Sequence, residues 1–289
     1  MISFDPKDLS TGRLHGYLLS AVAPRPIAFA STVDVDGNPN LSPFSFFNVF
    51  SANPPIMIFS PARRVRDNSV KHTLENVEAT REVVINVVSY DIVQQMSLSS
   101  TEYGKGVNEF EKSGLTMLKS DKVKPFRVAE SPIQFECKVN DIIQLGEEGG
   151  AGNLVICEVV KLHITEEVLD DNNVIIQEKL DLVARAGGDY YNRAKSGFFE
   201  IPKPLQKLGI GVDAMPETVR NSMILTGNDL GMLGNIEALP NEKQIEEFVN
   251  SISESYPNIK EMTHREKHKV AKNYLSYGDV SSAWKMLLS

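Results

Sequence analysis

From Ile133 to Ile164 the sequence reads as a long β-hairpin, and that element decides the class of fold the rest must join. Ile133, Phe135, Cys137 and Val139 alternate with polar neighbours, which is the period of a half-buried strand. Gly146 to Gly152 forms a glycine-rich connection, and Leu154 to Ile164 is the returning strand. Shorter pieces upstream follow the same pattern. Ile27 to Val35 reads as a strand, Asp36-Gly37-Asn38 as a turn, and the chain returns from Leu41 to Phe50. Pro54-Pro55 breaks it before the short strand Ile56 to Phe59, and Val83 to Val88 is another. Helical spacing is sparse here. Leu14, Leu18 and Ala21 follow Ser10 and Thr11 as caps. Val70, Leu74 and Val77 predict a helix over about Ser69 to Ala79, and Ile92, Val93 and Met96 a short one. Residues 102–114 read as a polar loop with one helical turn. Strands joined by turns favour a mainly β fold, an antiparallel barrel with peripheral helices, over a doubly wound parallel sheet.

Pro202 and Pro204 mark a change of composition. Beyond them Ile245, Phe248, Val249 and Ile252 share a helical face. Thr263-His264-Arg265-Glu266 is a capping box ahead of Val270, Tyr274 and Leu275, and Val280, Trp284, Leu287 and Leu288 form a last amphipathic stretch. The expected organisation is a β-rich domain over 1–204 and a helical C-terminal extension over 205–289, separable from the first and outside its binding site.

A net charge of −8 disfavours nucleic acid as a partner. The two cysteines, Cys137 and Cys157, lie in strand-like apolar runs and read as buried free thiols, which suits a reducing compartment. The N-terminus lacks the basic and apolar regions of a secretory signal, and no apolar run reaches membrane-spanning length. The expectation is a cytoplasmic protein with no membrane partner. Gly209-Ile210-Gly211-Val212-Asp213-Ala214 fits GxGxxA but lacks a βαβ setting. His264 and His268 have i, i+4 spacing without an HExxH pattern, so no metal site is expected.

Three segments carry chemistry. Arg63-Arg64-Val65-Arg66-Asp67-Asn68-Ser69-Val70-Lys71 sets four cations against one anion, a local +3, and leads into the helix that carries Lys71 and Thr73. Cations, hydroxyls and free N–H groups at a helix start suit a phosphate monoester. Ser45-Phe46-Phe47-Asn48 should run beside Ile56 to Ser60, where aromatic rings can flank a planar ligand and Ser, Asn and backbone amides can bond its edge. Ala23-Pro24-Arg25-Pro26-Ile27 locks a cation between two prolines immediately before a buried strand.

In order and spacing these segments resemble the flavin reductase-like, FMN-binding split-barrel family, flavoredoxins included. The resemblance spans roughly residues 10–200. It adds Asn40-Leu41-Ser42-Pro43-Phe44, Lys71-His72-Thr73 with Asn76, Glu109 to Leu115, Ala129-Glu130-Ser131-Pro132 and Gly187-Gly188-Asp189-Tyr190-Tyr191. It implies a split β-barrel and a non-covalently bound FMN. Ser45, Phe46, Phe47 and Asn48 would contact the isoalloxazine and ribityl chain. Ser60, Arg63, Lys71 and Thr73 would hold the phosphate, with Thr32 a further contact. It also implies a homodimer and an oxidoreductase supplied with electrons by NAD(P)H or a redox protein. The alternatives are a flavoredoxin-type electron carrier with no NAD(P)H reaction of its own, and a non-enzymatic flavin-binding scaffold. No catalytic acid, base or nucleophile is assigned. Relatives often carry a histidine near Arg185, associated with nicotinamide; this chain has none there.

Overall fold

The computed structural model describes residues 1–201 and 208–289. Two compact units divide the chain, Met1–Phe199 and Glu200–Ser289. Pro202, Pro204 and the expected boundary between 204 and 205 lie outside the described residues.

The first unit is built on β1 (Ala28–Val33), β2 (Pro39–Phe44), β3 (Phe47–Ala52), β4 (Pro55–Phe59), β5 (Glu82–Asn86), the two-residue strands β6 (Met117–Leu118) and β7 (Arg127–Val128), β8 (Ile133–Gln144), β9 (Asn153–Ile164), β10 (Val183–Arg185) and β11 (Tyr191–Arg193). Seven of these make one antiparallel sheet in the order β2-β1-β5-β8-β9-β4-β3. The long hairpin forms its centre. Helices α1 (Thr11–Ala21), α2 (His72–Thr80), α3 (Val93–Ser99), α4 (Glu109–Ser113) and α5 (Gln177–Leu180) surround it.

One expectation needs correcting. The return from Leu41 to Phe50 is not one strand. It breaks at Ser45-Phe46 into β2, at one edge beside β1, and β3, at the opposite edge beside β4. Neither Gly nor Pro marks the break. It follows from closing the sheet, which local patterning does not encode.

The core gathers inward-facing residues of six strands, among them Ala28, Ala30, Phe59, Val83, Ile85, Val155 and Cys157, under Leu74 and Val77 of α2. Cys137 and Cys157 are both free and buried. Their register explains why they do not bond: Cys157 stands opposite Val139, and Cys137 opposite Val159.

The second unit contains α6 (Glu217–Arg220), α7 (Gly227–Gly234), α8 (Glu242–Ser251), α9 (His264–Ser276) and α10 (Val280–Leu288) around its own core. Trp284 lies at its centre, 1% exposed, and donates its indole N–H to the Leu233 carbonyl at 2.9 Å. The Thr263–Glu266 capping box is formed. Asn241 with Gln244 and Thr226 with Asp229 form two more. The glycines of the GxGxxA match serve packing: Ile210 N–H bonds the Ile236 carbonyl, and a Cβ on Gly209 would fall 2.6 Å from the Gly234 carbonyl oxygen.

Candidate functional site

The helix expected from Ser69 begins at His72 instead. Arg64 holds the preceding residues in the loop, donating from Nη1 to Ser69 Oγ at 2.8 Å and to the Val70 carbonyl at 2.9 Å. Asp67 accepts from both the N–H and the hydroxyl of Ser69. Lys71 becomes the N-cap and places no side-chain bond on the helix. Leu74 N–H bonds the Lys71 carbonyl at 2.9 Å, which leaves the N–H groups of His72 and Thr73 available, as helix starts do.

The four cations of this segment divide into two kinds. Arg64 and Arg66 both pair with Glu102, at 2.9 and 3.0 Å, a carboxylate outside the segment that sequence reasoning did not connect to it. Arg63 and Lys71 have no ion pair among the described residues. Arg63 donates from Nη1 to the Asn68 carbonyl at 3.1 Å, while its Nε is buried without a partner. Lys71 is half-buried. Burial first, and then the like charge of Arg64, lowers its ammonium from the usual lysine range. Two cations without carboxylates, one with an orphaned donor, and the unbonded first N–H groups of a helix are the chemistry that an anion would need.

Ser60 joins the start of this segment to the edge strand. Its N–H donates to the Phe46 carbonyl at 2.9 Å, and its hydroxyl oxygen accepts the Asn153 N–H at 3.0 Å. Phe47 pairs with Phe59 and Asn48 with Ile58, so Ser45–Asn48 runs beside Ile56–Ser60 as the sequence indicated. Phe46 and Asn48 are exposed, while Ser45 and Phe47 are half-buried. Ser45, Phe46, Phe47, Asn48, Ser60, Arg63 and Lys71 thus lie along one continuous run of structure.

Thr32 and Thr73 are placed differently. Both are buried, and their hydroxyls belong to an internal network. Thr73 Oγ1 donates to Asn40 Oδ1 at 2.8 Å, Asn76 Nδ2 donates to Thr32 Oγ1 at 3.0 Å, and Thr32 Oγ1 lies 3.4 Å from Asn40 Oδ1. Asn40 Nδ2 donates to Glu109 Oε1, and Leu41 N–H to Glu109 Oε2, each at 3.0 Å. Burial raises the Glu109 carboxyl above its ordinary range against these bonds.

Arg25 is a structural tie. Its guanidinium is buried and donates to the carbonyls of Leu19, Val22 (2.6 Å) and Ala186 (3.0 Å), and weakly to Ser45 Oγ. It closes the end of α1 and joins it to the β10 region. Among the described residues one trio could in principle hold a metal: Asp121, Glu136 and His163. Glu136 is fully buried, and its oxygens already accept the N–H groups of Asp121, Lys122 and Val123 together with His163 Nε2. That donor set anchors a turn and leaves the carboxylate little capacity for an ion.

The flavin reductase like domain model matches residues 20–183. An uncharacterized protein of Aquifex aeolicus is 36% identical over 193 residues, covering 67% of this chain and 96% of its own length. One from Halalkalibacterium halodurans is 35% identical over 194 residues, covering 66% and 92%. Among solved structures, nitrilotriacetate monooxygenase component B from Bacillus cereus superposes with a TM-score of 0.65 at 28% identity, covering 70% of this chain and 98% of that one. A Shewanella frigidimarina protein described as a flavin reductase with a split barrel domain gives 0.59 at 26%, covering 70% and 100%. The flavoredoxin of Desulfovibrio vulgaris shares the fold, with a TM-score of 0.53 at 22% identity, covering 63% and 91%.

Proposed function

This chain belongs to the flavin reductase-like family, and from that premise we propose that its first unit binds FMN non-covalently and passes electrons through it as an oxidoreductase. The observation that carries the choice of FMN is the Arg63–Lys71 cradle. Two cations without carboxylate partners and an open helix start match a terminal phosphate. Ser60, Lys71, Arg63 and the first-turn N–H groups at His72 and Thr73 hold that phosphate. Ser45, Phe46, Phe47 and Asn48 flank and bond the ring and ribityl chain. Thr32 and Thr73 act from below, keeping α2 and β1 in register through Asn40.

The bound flavin supplies the redox chemistry, and the protein supplies binding, orientation and electrostatics. No side chain is needed as a general acid, base or nucleophile. The electron donor is NAD(P)H or a redox protein. Stopped-flow mixing with NADH and NADPH separates a reductase from a carrier.

The same reading takes the protein to be a homodimer. Helix α1 has no buried residue, and its Leu18 and the Val22 that caps it are exposed at 52% and 63%. Edge strand β3 exposes Val49 and Phe50 at 60% and 64%. A second copy is the occupant that would cover both, and light scattering of the purified protein tests it. Residues 205–289 are read as a helical extension apart from the flavin site, which the internal core of the second unit supports.

Titration of the apo-protein with FMN, FAD and riboflavin tests the cofactor. FMN should bind tightly and riboflavin weakly. Tight FAD binding with none for FMN would overturn the assignment.

A further inference from the structure

A cleft of about 180 Å³ opens beside Ser45, walled by Ile27, Met96, Ser100, Arg185 and Tyr191. The Arg185 guanidinium stacks on the Tyr191 ring at 4.6 Å and makes one hydrogen bond, from Nη1 to the Tyr190 carbonyl at 3.2 Å. A guanidinium has five N–H donors, so most of those on Arg185 remain free. Its one carboxylate neighbour, Asp189, lies 3.9 Å away and is fully exposed, and such a pair contributes little.

Behind Arg185 stands Arg25, its antiparallel bridge partner. Arg25 is satisfied by carbonyls and a hydroxyl and has no carboxylate. Burial, then the charge of Arg185, lowers its pKa from the ordinary arginine value. Arg185 is thus the one cation in the lining, backed by the buried Arg25, and none of the residues lining the cleft is acidic.

We infer that this cleft binds a small planar carboxylate, with Arg185 as the specificity-determining residue that receives the carboxylate group. The guanidinium fork matches a carboxylate in two parallel bonds. Ser45 and Ser100 stand as further donors, and Ile27, Met96 and the Tyr191 ring provide an apolar bed for a ring. The volume lies below the roughly 300–1,000 Å³ of clefts that enclose drug-sized ligands, which suits a single-ring acid. The inference rests on the FMN reading only for what the acid would do there: lying against Ser45, it would sit beside the flavin as a reaction partner or as a gate on it.

The test uses the full chain loaded with FMN, so that the phosphate cradle is filled. Benzoate and benzamide, isosteric and differing in charge, are titrated by calorimetry and by perturbation of the flavin absorbance. Benzoate should bind about tenfold or more tighter than benzamide. Arg185→Gln should abolish that preference, and Arg185→Lys should keep part of it. Equal affinity for the two ligands in the unaltered protein would overturn the inference without recourse to any variant. So would inorganic phosphate displacing benzoate at similar concentration. A protein that stays colourless with FMN would sink the cofactor reading alone, because calorimetry with benzoate still reads the cleft.

Discussion

The Thr73 hydroxyl and the Asn40 side-chain carbonyl are joined at 2.8 Å, which fastens the first turn of α2 to β2. Asn40 is also the residue through which Thr32 and Glu109 are satisfied. Asn40→Ala would leave the Thr73 hydroxyl and one Glu109 oxygen buried without this partner. Each such group costs about 1–3 kcal/mol. Urea denaturation followed by far-UV circular dichroism should show the first unit destabilised by at least that amount. An unchanged midpoint would mean that water replaces the amide.

The proposed function gives Lys71 the grip on a terminal phosphate, so Lys71→Ala should separate FMN from riboflavin. Loss of a charge-assisted hydrogen bond is worth about 1.5–3 kcal/mol, a roughly ten- to hundredfold loss of FMN affinity. Riboflavin, which lacks the phosphate, should bind the variant and the parent alike. Parallel losses for both ligands in fluorescence titrations would place the defect in the fold instead of the cradle.

Burial pushes the Cys137 thiol up to about 12, and the Cys157 thiol well above its ordinary value. The thiolate is the reactive form. A disulfide-based thiol reagent should therefore label neither cysteine in native protein at pH 8 on the timescale of minutes, and both after denaturation. Rapid labelling of the native protein would show that the β8–β9 centre opens readily.

In the helical unit, Ser222 Oγ accepts the N–H groups of Ile224 and Leu225, so its proton goes to His268 Nδ1 at 2.7 Å. Burial, then His264, holds the His268 imidazole below the ordinary histidine value of 6.5. Below that value the unfolded chain takes up the proton more readily than the folded one. Stability is therefore complete above 6.5 and lost as pH falls toward the folded value. Thermal unfolding followed by the single Trp284 should shift to lower temperature between pH 7 and pH 5. His268→Asn should flatten that dependence, and an equal slope in both proteins would remove His268 as its source.

Much of this was legible because strand and helix periods are local. The 133–164 hairpin, the pairing of Ser45–Asn48 with Ile56–Ser60 and the Thr263 capping box all follow from residues near one another in sequence. The misses are tertiary. The β2–β3 break needs the sheet to close before it exists. The late start of α2 depends on Arg64, and the pairing of Arg64 and Arg66 depends on Glu102, 36 residues beyond Arg66. Helix α7 is rich in glycine and reads as poor helix, although Thr226 with Asp229 three residues on was an available start signal. Arg25 between its prolines stood out in the sequence without an assigned partner; only the fold shows it saturated by carbonyls.

The saturation of Arg25 bears on how the chain acquires its shape. Its carbonyl partners include Leu19 and Val22 nearby and Ala186, 161 positions away. During synthesis the N-terminal helix therefore cannot be locked in place until residues near 186 have emerged. Contacts of such long separation slow folding, because loop closure must precede any gain from them. Until then α1 lacks its tie to the β10 region through Arg25. The growing chain therefore completes the wall around Arg25 among its last steps, after the central hairpin is already available as a template.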